Sequence, residues 1–107
     1  MYARVISFSG ADPEKREHAV QTITETVIPM LRTVDGFAGY IGLYDADNAR
    51  AKAIILWDSE ETARTSEEEL TTRREQIAAS IGITIESIDL YEAPVIELET
   101  ELETARV

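Results

Sequence analysis

A chain of 107 residues, 44% hydrophobic and 29% charged, is long enough for one domain with its own core and reads as globular rather than disordered. Twenty-one acidic against ten basic residues give a formal charge of -11, the wrong sign for nucleic acid or an anionic membrane surface. Cysteine is absent and His18 is the only histidine, which excludes disulfides, thiolate catalysis, zinc–sulfur sites and a multi-histidine metal centre within one chain.

Residues 2–9, YARVISFS, combine aromatic and β-branched side chains and predict a strand broken at Gly10. Asp12-Pro13 predicts a helix start, with Asp12 as cap and Pro13 in the first helical position. Val20, Ile23, Val27, Met30, Leu31 and Val34 recur at spacings of three and four, one buried stripe on a helix of about 20 residues. Pro29 lies in that stripe and should kink its last turns. Asp35-Gly36 ends the helix. Residues 37–44, FAGYIGLY, predict a second strand, 45–49 a polar turn, and 51–57, AKAIILW, the returning strand of a hairpin. Asp58-Ser59-Glu60-Glu61 is a helix cap with acidic residues at the positive end of the helix dipole. Ser66 to Glu69 repeats the capping pattern, so the second helix is expected either as two pieces or as one helix with an irregular turn near residue 65. Leu70, Ile77 and Ile81 supply its buried stripe, and Gly82 stops it. Residues 83–91, ITIESIDLY, predict the fourth strand, interrupted at Ala93-Pro94.

The order β-α-β-β-α-β is the ferredoxin-like arrangement, an α+β fold with two helices on one face of a four-stranded antiparallel sheet. Two helices cover one sheet face, so the other should turn polar, yet the strands are apolar on both. Ile54 and Leu56 oppose Ile55 and Trp57. Phe37, Ile41 and Leu43 oppose Tyr40 and Tyr44. Ile83, Ile85 and Tyr91 oppose Ile88 and Leu90. An open apolar face of this kind marks an interface, and a homodimer packed sheet to sheet is expected. The alternative is that the tail folds over that face. The domain is expected over residues 1–94, with an acidic tail over 95–107 whose apolar residues are Ile96, Leu98 and Leu102. That tail either clamps a partner subunit or frays. No apolar run approaches the roughly 18 residues of a membrane span, and Met1-Tyr2-Ala3-Arg4 has no signal-peptide character. A soluble cytoplasmic protein is expected.

Three passages carry a resemblance: the opening strand YARVISF, the passage VIPMLRTVDGFAGY, and AIILWDSEET leading into the second helix. In the second, a proline-containing helix ends at a Gly-Phe that opens a strand. In the third, a strand ends in Trp before an acidic and serine cap. In these features the chain resembles the antibiotic biosynthesis monooxygenase-like family over residues 2–93. The resemblance implies a dimeric α+β barrel in which each subunit keeps a pocket between its own sheet and helices. It implies one of several activities: cofactor-independent monooxygenation of aromatic polyketides or quinol-like substrates, haem degradation, or none known. Haem-degrading relatives pair the strand-end Trp with an Asn on the first strand and a His on the second helix. This chain has neither: its only Asn is Asn48, in a turn, and His18 is on the first helix. The polar groups that polyketide oxygenases gather around the Trp, Asn among them, are also incompletely matched.

Trp57, Tyr40 and Arg4 are the candidate substrate-binding residues. Trp57 either walls a pocket and stacks on a planar substrate or fills the core at a strand-to-helix corner. Tyr40, with Tyr44 and Trp57, either stacks on a flat ligand and hydrogen-bonds a quinol oxygen or packs across strands. Arg4, a cation in an apolar strand, either orients an acidic phenol or enolate or pairs with Glu86 or Asp89. His18 should face solvent. Gly36, Gly39 and Gly42 give a G-x-x-G-x-x-G spacing within a strand and not between a strand and a helix, so it is not a phosphate loop, and Gly39 and Gly42 mark a bulge or a close backbone approach. Glu67-Glu68-Glu69 reads as a solvated helix face, since three consecutive helical residues do not converge on one ion. Two functions remain open. One is an oxygenase-like enzyme with no metal, flavin or other cofactor, acting on a small phenol or quinol. The other is a non-catalytic dimer that binds a small ligand or serves as an accessory module.

Overall fold

The computed structural model describes residues 1–99. Strand β1 (Tyr2–Ser9) runs between β3 (Arg50–Trp57) and β4 (Thr84–Glu92), and β2 (Phe37–Asp45) closes the far edge, giving the order β2-β3-β1-β4 with every pairing antiparallel. This is the expected ferredoxin-like sheet, and the helices lie on one face of it. Leu102 and the rest of the tail beyond residue 99 lie outside the described residues.

The first helical segment starts as the sequence predicts. Asp12 accepts a hydrogen bond from the Glu14 amide at 2.9 Å, and Pro13 opens a 3-10 turn that leads into α1 (Arg16–Thr22). Just before Pro29, where the sequence predicts a kink, the segment departs from α geometry. The missing N–H of Pro29 leaves the carbonyl four residues earlier without a donor, and the backbone answers with a π turn over Ile23–Val27, in which the Ile28 amide reaches back to Ile23. A short α2 (Ile28–Leu31) completes the segment.

The second helix, α3 (Glu60–Ile81), is one continuous helix of 22 residues, with no irregular turn near 65. The second capping signal is overridden because Ser66 sits on the buried face and its hydroxyl donates to the Ala63 carbonyl at 2.9 Å, satisfied within the helix. Ser59 caps the start, accepting from the Thr62 amide at 3.1 Å. Gly82 stops the helix at φ +82°, and the Ile83 amide bonds back to the Ala78 carbonyl at 3.0 Å.

Two bulges correct the expected sheet faces. In β2 the register slips between Phe37, opposite Trp57, and Gly39, opposite Leu56. Phe37 therefore joins Tyr40 and Trp57 on the helix-facing side rather than opposing them. In β4 the register slips past Glu86, which brings Ile85 to the same side as Ile88 and Leu90. The core lies under the helices and is built from Ile6, Leu31, Ala53, Ile55, Trp57, Ala63 and Leu70. The opposite face is apolar over half its length. Ala3, Val5, Ile41, Ile54, Leu56 and Tyr91 occupy the end near the N-terminus of β1, whereas Ser7, Ser9, Asp45, Arg50 and Lys52 occupy the other. Leu43 and Tyr91 are 46% and 57% exposed on that face.

Gly36 holds the turn into β2. At φ +86° its Cα sits against α3, and a Cβ would lie 2.4 Å from the Thr62 side chain. Gly82 has a similar φ, but a Cβ there meets only the end of the Lys15 side chain at 3.4 Å. Gly36→Ala is expected to lower stability by about 2–4 kcal/mol and Gly82→Ala by about 1 kcal/mol. Urea denaturation of the two variants tests this, and equal losses would show that the contact with Thr62 yields freely.

Candidate functional site

The strand register brings all three candidate residues to the helix-facing side of the sheet. Tyr2, Trp57 and Phe37 form one cross-strand row, and Arg4, Ile55 and Tyr40 form the next. Arg4 and Tyr40 thus flank Ile55 from opposite sides.

The three differ in environment. Trp57 is 1% exposed and packs edge-on against Phe37, with ring centroids 6.1 Å apart and planes at 73°. Tyr40 is half-buried, and desolvation pushes its phenol up to about 12. At neutral pH it is a hydrogen-bond donor and not a base. Arg4 is buried, yet it does not pair with Glu86 or Asp89. Glu86 accepts the Ser9 hydroxyl instead, and Asp89 sits opposite Val5 on the other face.

Arg4 turns up into α3. Its Nη2 donates to the Ala63 carbonyl at 3.1 Å, and its Nε lies 3.6 Å from the Glu67 carboxylate, too far for a hydrogen bond. Glu67 is already engaged. Both of its oxygens accept from Arg74, Oε2 from Nη1 and Oε1 from Nη2, each at 2.7 Å. Arg4 Nε is left buried without a hydrogen-bond partner, in a looser ion pair with Glu67. The Arg74 hydrogen bonds hold the Glu67 carboxyl below its ordinary range, against the opposing effect of partial burial and with further help from the Arg4 charge. Burial lowers the Arg4 pKa, Glu67 opposes this, and the charges of Arg74 and Arg64 add to the lowering. A guanidinium remains charged under such pressure. Two cations and one anion therefore share this layer.

Glu67 and Arg74 were not among the sequence candidates. The expectation that Glu67 belongs to a solvated face holds for Glu68 and Glu69, which are exposed, but not for Glu67. The available signal was helical spacing. The buried residues Ala63, Ser66, Leu70, Ala78 and Ile81 define a stripe, and positions 67 and 74 fall on it, two turns apart and oppositely charged.

Two grooves open between α3 and the turn that joins α2 to β2. One, of about 340 Å³, is lined by Thr33, Val34, Glu69, Leu70 and Arg73. The other, of about 140 Å³, is lined by Val34, Asp35, Glu61, Thr62, Thr65, Ser66 and Glu69. Arg4, Tyr40 and Trp57 line neither. His18 is exposed, as expected. Among the described residues no group of three or more His, Asp or Glu side chains is placed to hold a metal ion, and no helix is long and apolar enough to cross a membrane.

With this geometry in view, solved structures give the comparison. The monooxygenase ActVA-Orf6 of Streptomyces coelicolor, solved with the ligand nanaomycin D, matches with a TM-score of 0.66 at 18% identity over 94% of this chain and 92% of its own. SnoaB of Streptomyces nogalater, a cofactor-independent oxygenase, matches at 0.62 and 16% identity over 92% and 97%. A dimeric ferredoxin-like protein from an uncultured marine organism matches at 0.64 and 8% identity over 92% and 100%. No family model and no curated protein matches the chain. The chain has the ferredoxin-like fold of the antibiotic biosynthesis monooxygenase-like proteins, the fold that the sequence resemblance implied.

The depressed Glu67 pKa fixes the sign of a pH effect. Its contribution is complete above the ordinary carboxylate value of 4.5 and is lost as pH falls through the lowered folded value. At pH 7, Glu67→Gln is expected to be less stable than wild type by about 1–3 kcal/mol. On acidification the wild type should lose more stability than the variant, so that the gap closes. Urea midpoints measured from pH 7 to pH 3 check this, and a gap that stays constant would remove Glu67 as a titrating support.

Proposed function

We propose that the protein is a dimeric α+β barrel that binds a small, acidic aromatic compound of phenol or quinol type in the layer between sheet and helices, and that it promotes oxidation of that compound by molecular oxygen without a cofactor. The observation that carries the reading is Arg4, a buried guanidinium on the helix-facing side of the sheet whose Nε makes no hydrogen bond and only a 3.6 Å ion pair with Glu67. A fixed positive charge in a desolvated layer favours an ionised phenol or enolate over its neutral form. Such an anion is electron-rich enough to reduce oxygen itself. For a substrate with a methylene flanked by aromatic rings, the balance is one methylene and one oxygen molecule giving one carbonyl and one water. The protein's part is to orient the anion, exclude bulk water and donate a hydrogen bond to its oxygen. Tyr40, which keeps its proton at neutral pH, is suited to that donation. The oxygenases of the same fold, one of them solved with nanaomycin D, support the reaction class.

The apolar end of the open sheet face supports the dimer. Val5, Ile41 and Ile54 form one apolar cross-strand row, with Ala3, Leu56 and Tyr91 in the row beside it, and their burial by a second copy is favourable by about 25 cal/mol for each Å² covered. Native mass spectrometry should give twice the mass of the chain. A monomer would remove the dimer from the reading.

The second reading, a non-catalytic ligand-binding module, is favoured by Trp57. At 1% exposure it offers no ring face to a substrate unless the core opens. Oxygen uptake with a panel of hydroquinones and anthrones separates the two. Wild type is expected to raise uptake above the uncatalysed rate, Arg4→Met to abolish the increase, and Tyr40→Phe to lower it by about two to three orders of magnitude, the value of one donor at a developing oxyanion. Uptake equal to a protein-free control across the panel, with ligand binding retained, would establish the binding module instead.

A further inference from the structure

Arg4, Glu67 and Arg74 stand in a ratio of two cations to one anion. Glu67 is committed to Arg74 through two hydrogen bonds of 2.7 Å and stands 3.6 Å from Arg4. The groups beside Arg4 on the sheet supply no counter-charge, because its cross-strand neighbours are Ile55 and Leu90. On α3 the remaining charge near it is Arg64, which is of the same sign and faces Glu60 at 2.7 Å. The set is buried but not closed. The side chains of Arg4 and Glu67 are 11% and 26% exposed.

We propose that these three residues form a site selective for a single negative charge, in which Arg4 receives the anionic oxygen of a ligand and Glu67 and Arg74 are positioning residues that keep Arg4 unspent. The inference rests on the reading of an acidic aromatic ligand and deepens it, by naming what sets the ligand's charge. Arg74 does not touch the ligand. Its fork holds the carboxylate that would otherwise turn to Arg4. Removing Arg74 therefore frees Glu67 to neutralise Arg4, and removing Glu67 leaves two uncompensated guanidinia. A purely supportive role for the ion pair predicts that every such change weakens binding. The charge count predicts opposite signs for the two.

The probe is 4-nitrophenol, whose phenolate is yellow and whose phenol is not, titrated with pH in the presence of the whole chain. 4-Nitroanisole serves as the uncharged control. Wild type is expected to lower the apparent pKa of the bound phenol by about one unit, which is about a tenfold preference for the anion, and to bind 4-nitroanisole weakly. Arg4→Met and Arg74→Met should both abolish the shift, Arg74→Lys should restore most of it, and Glu67→Gln should enlarge it. The wild-type comparison of the two probes needs no variant, so loss of folding in one of them does not remove the test. Equal binding of the two probes, with no shift for the phenol, would overturn the charge inference and leave an aromatic site standing. Binding of neither would overturn the inference and the ligand reading together. A Glu67→Gln protein that stays folded and shows a smaller shift would also overturn the inference, since the count requires a larger one.

Discussion

The way α3 is seated on the sheet governs the rest of the molecule, and a short corner fixes it. β3 ends at Trp57, the Asp58 amide bonds to the Gly36 carbonyl at 2.9 Å, and Ser59 caps the next turn. Gly36 has no side chain, so the Thr62 side chain fills the space where a Cβ would stand. One residue further, Ala63 is completely buried. A methyl group is the most that position carries while the helix lies close enough for its backbone carbonyl to meet Arg4. From that anchor the 3.6-residue period decides what faces the sheet: Ser66 and Glu67, then Leu70, then Arg74, then Ala78 and Ile81. The charged set is therefore a consequence of the corner, because any larger residue at 63 would lift α3 from β1.

That seating explains how an acidic protein comes to hold surplus positive charge in its interior. The formal charge of -11 resides largely on exposed carboxylates, where water screens it. The layer between β1 and α3 has two guanidinia to one carboxylate. Arginine tolerates this because its charge is delocalised and weakly hydrated, and because it stays protonated under the lowering that burial imposes. Lysine, a compact and strongly hydrated charge, shifts its pKa more readily on burial. An arrangement that keeps a charge buried and incompletely matched is costly for folding alone, and a site that binds an opposite charge is a physical reason to retain it.

Much of the architecture was legible in the sequence. Alternation in β1 and β3, the Asp12-Pro13 and Ser59 caps, and Gly82 each depend on local chemistry and fell where the pattern put them. The errors share a cause in what a local pattern cannot register. Pro29 signals a local loss of a donor, but the form the irregularity takes, a π turn over Ile23–Val27, is not written in the proline itself. Ser66 looked like a cap until tertiary packing turned it inward. Phe37 and Ile85 changed faces because a bulge adds one residue to one strand, and the alternation on either side of it stays intact. Of the site, the positions of Arg4, Tyr40 and Trp57 on one face followed from strand periodicity. Glu67 and Arg74 did not, because charged residues on a helix are read as exposed unless the apolar stripe is followed through them.

The fold leaves the chemistry to a short distance along the strands. In the row Tyr2–Trp57–Phe37 the layer between sheet and helices is closed by aromatic packing, and the tryptophan that the family resemblance makes prominent is core. One row on, Arg4 and Tyr40 stand either side of Ile55, and the same layer becomes polar at both ends. In the row after that, Ile6 is followed by Ala53 and Gly42, two residues that occupy almost no volume, and the Tyr40 ring lies 3.5 Å from where a Gly42 Cβ would be. Large and sealed, then charged, then small: the succession changes every two residues because each step along a strand on one face is two residues long. The aromatic core row and the charged row beside it are therefore separate on one sheet face, so that a substitution in the second leaves the packing of the first in place.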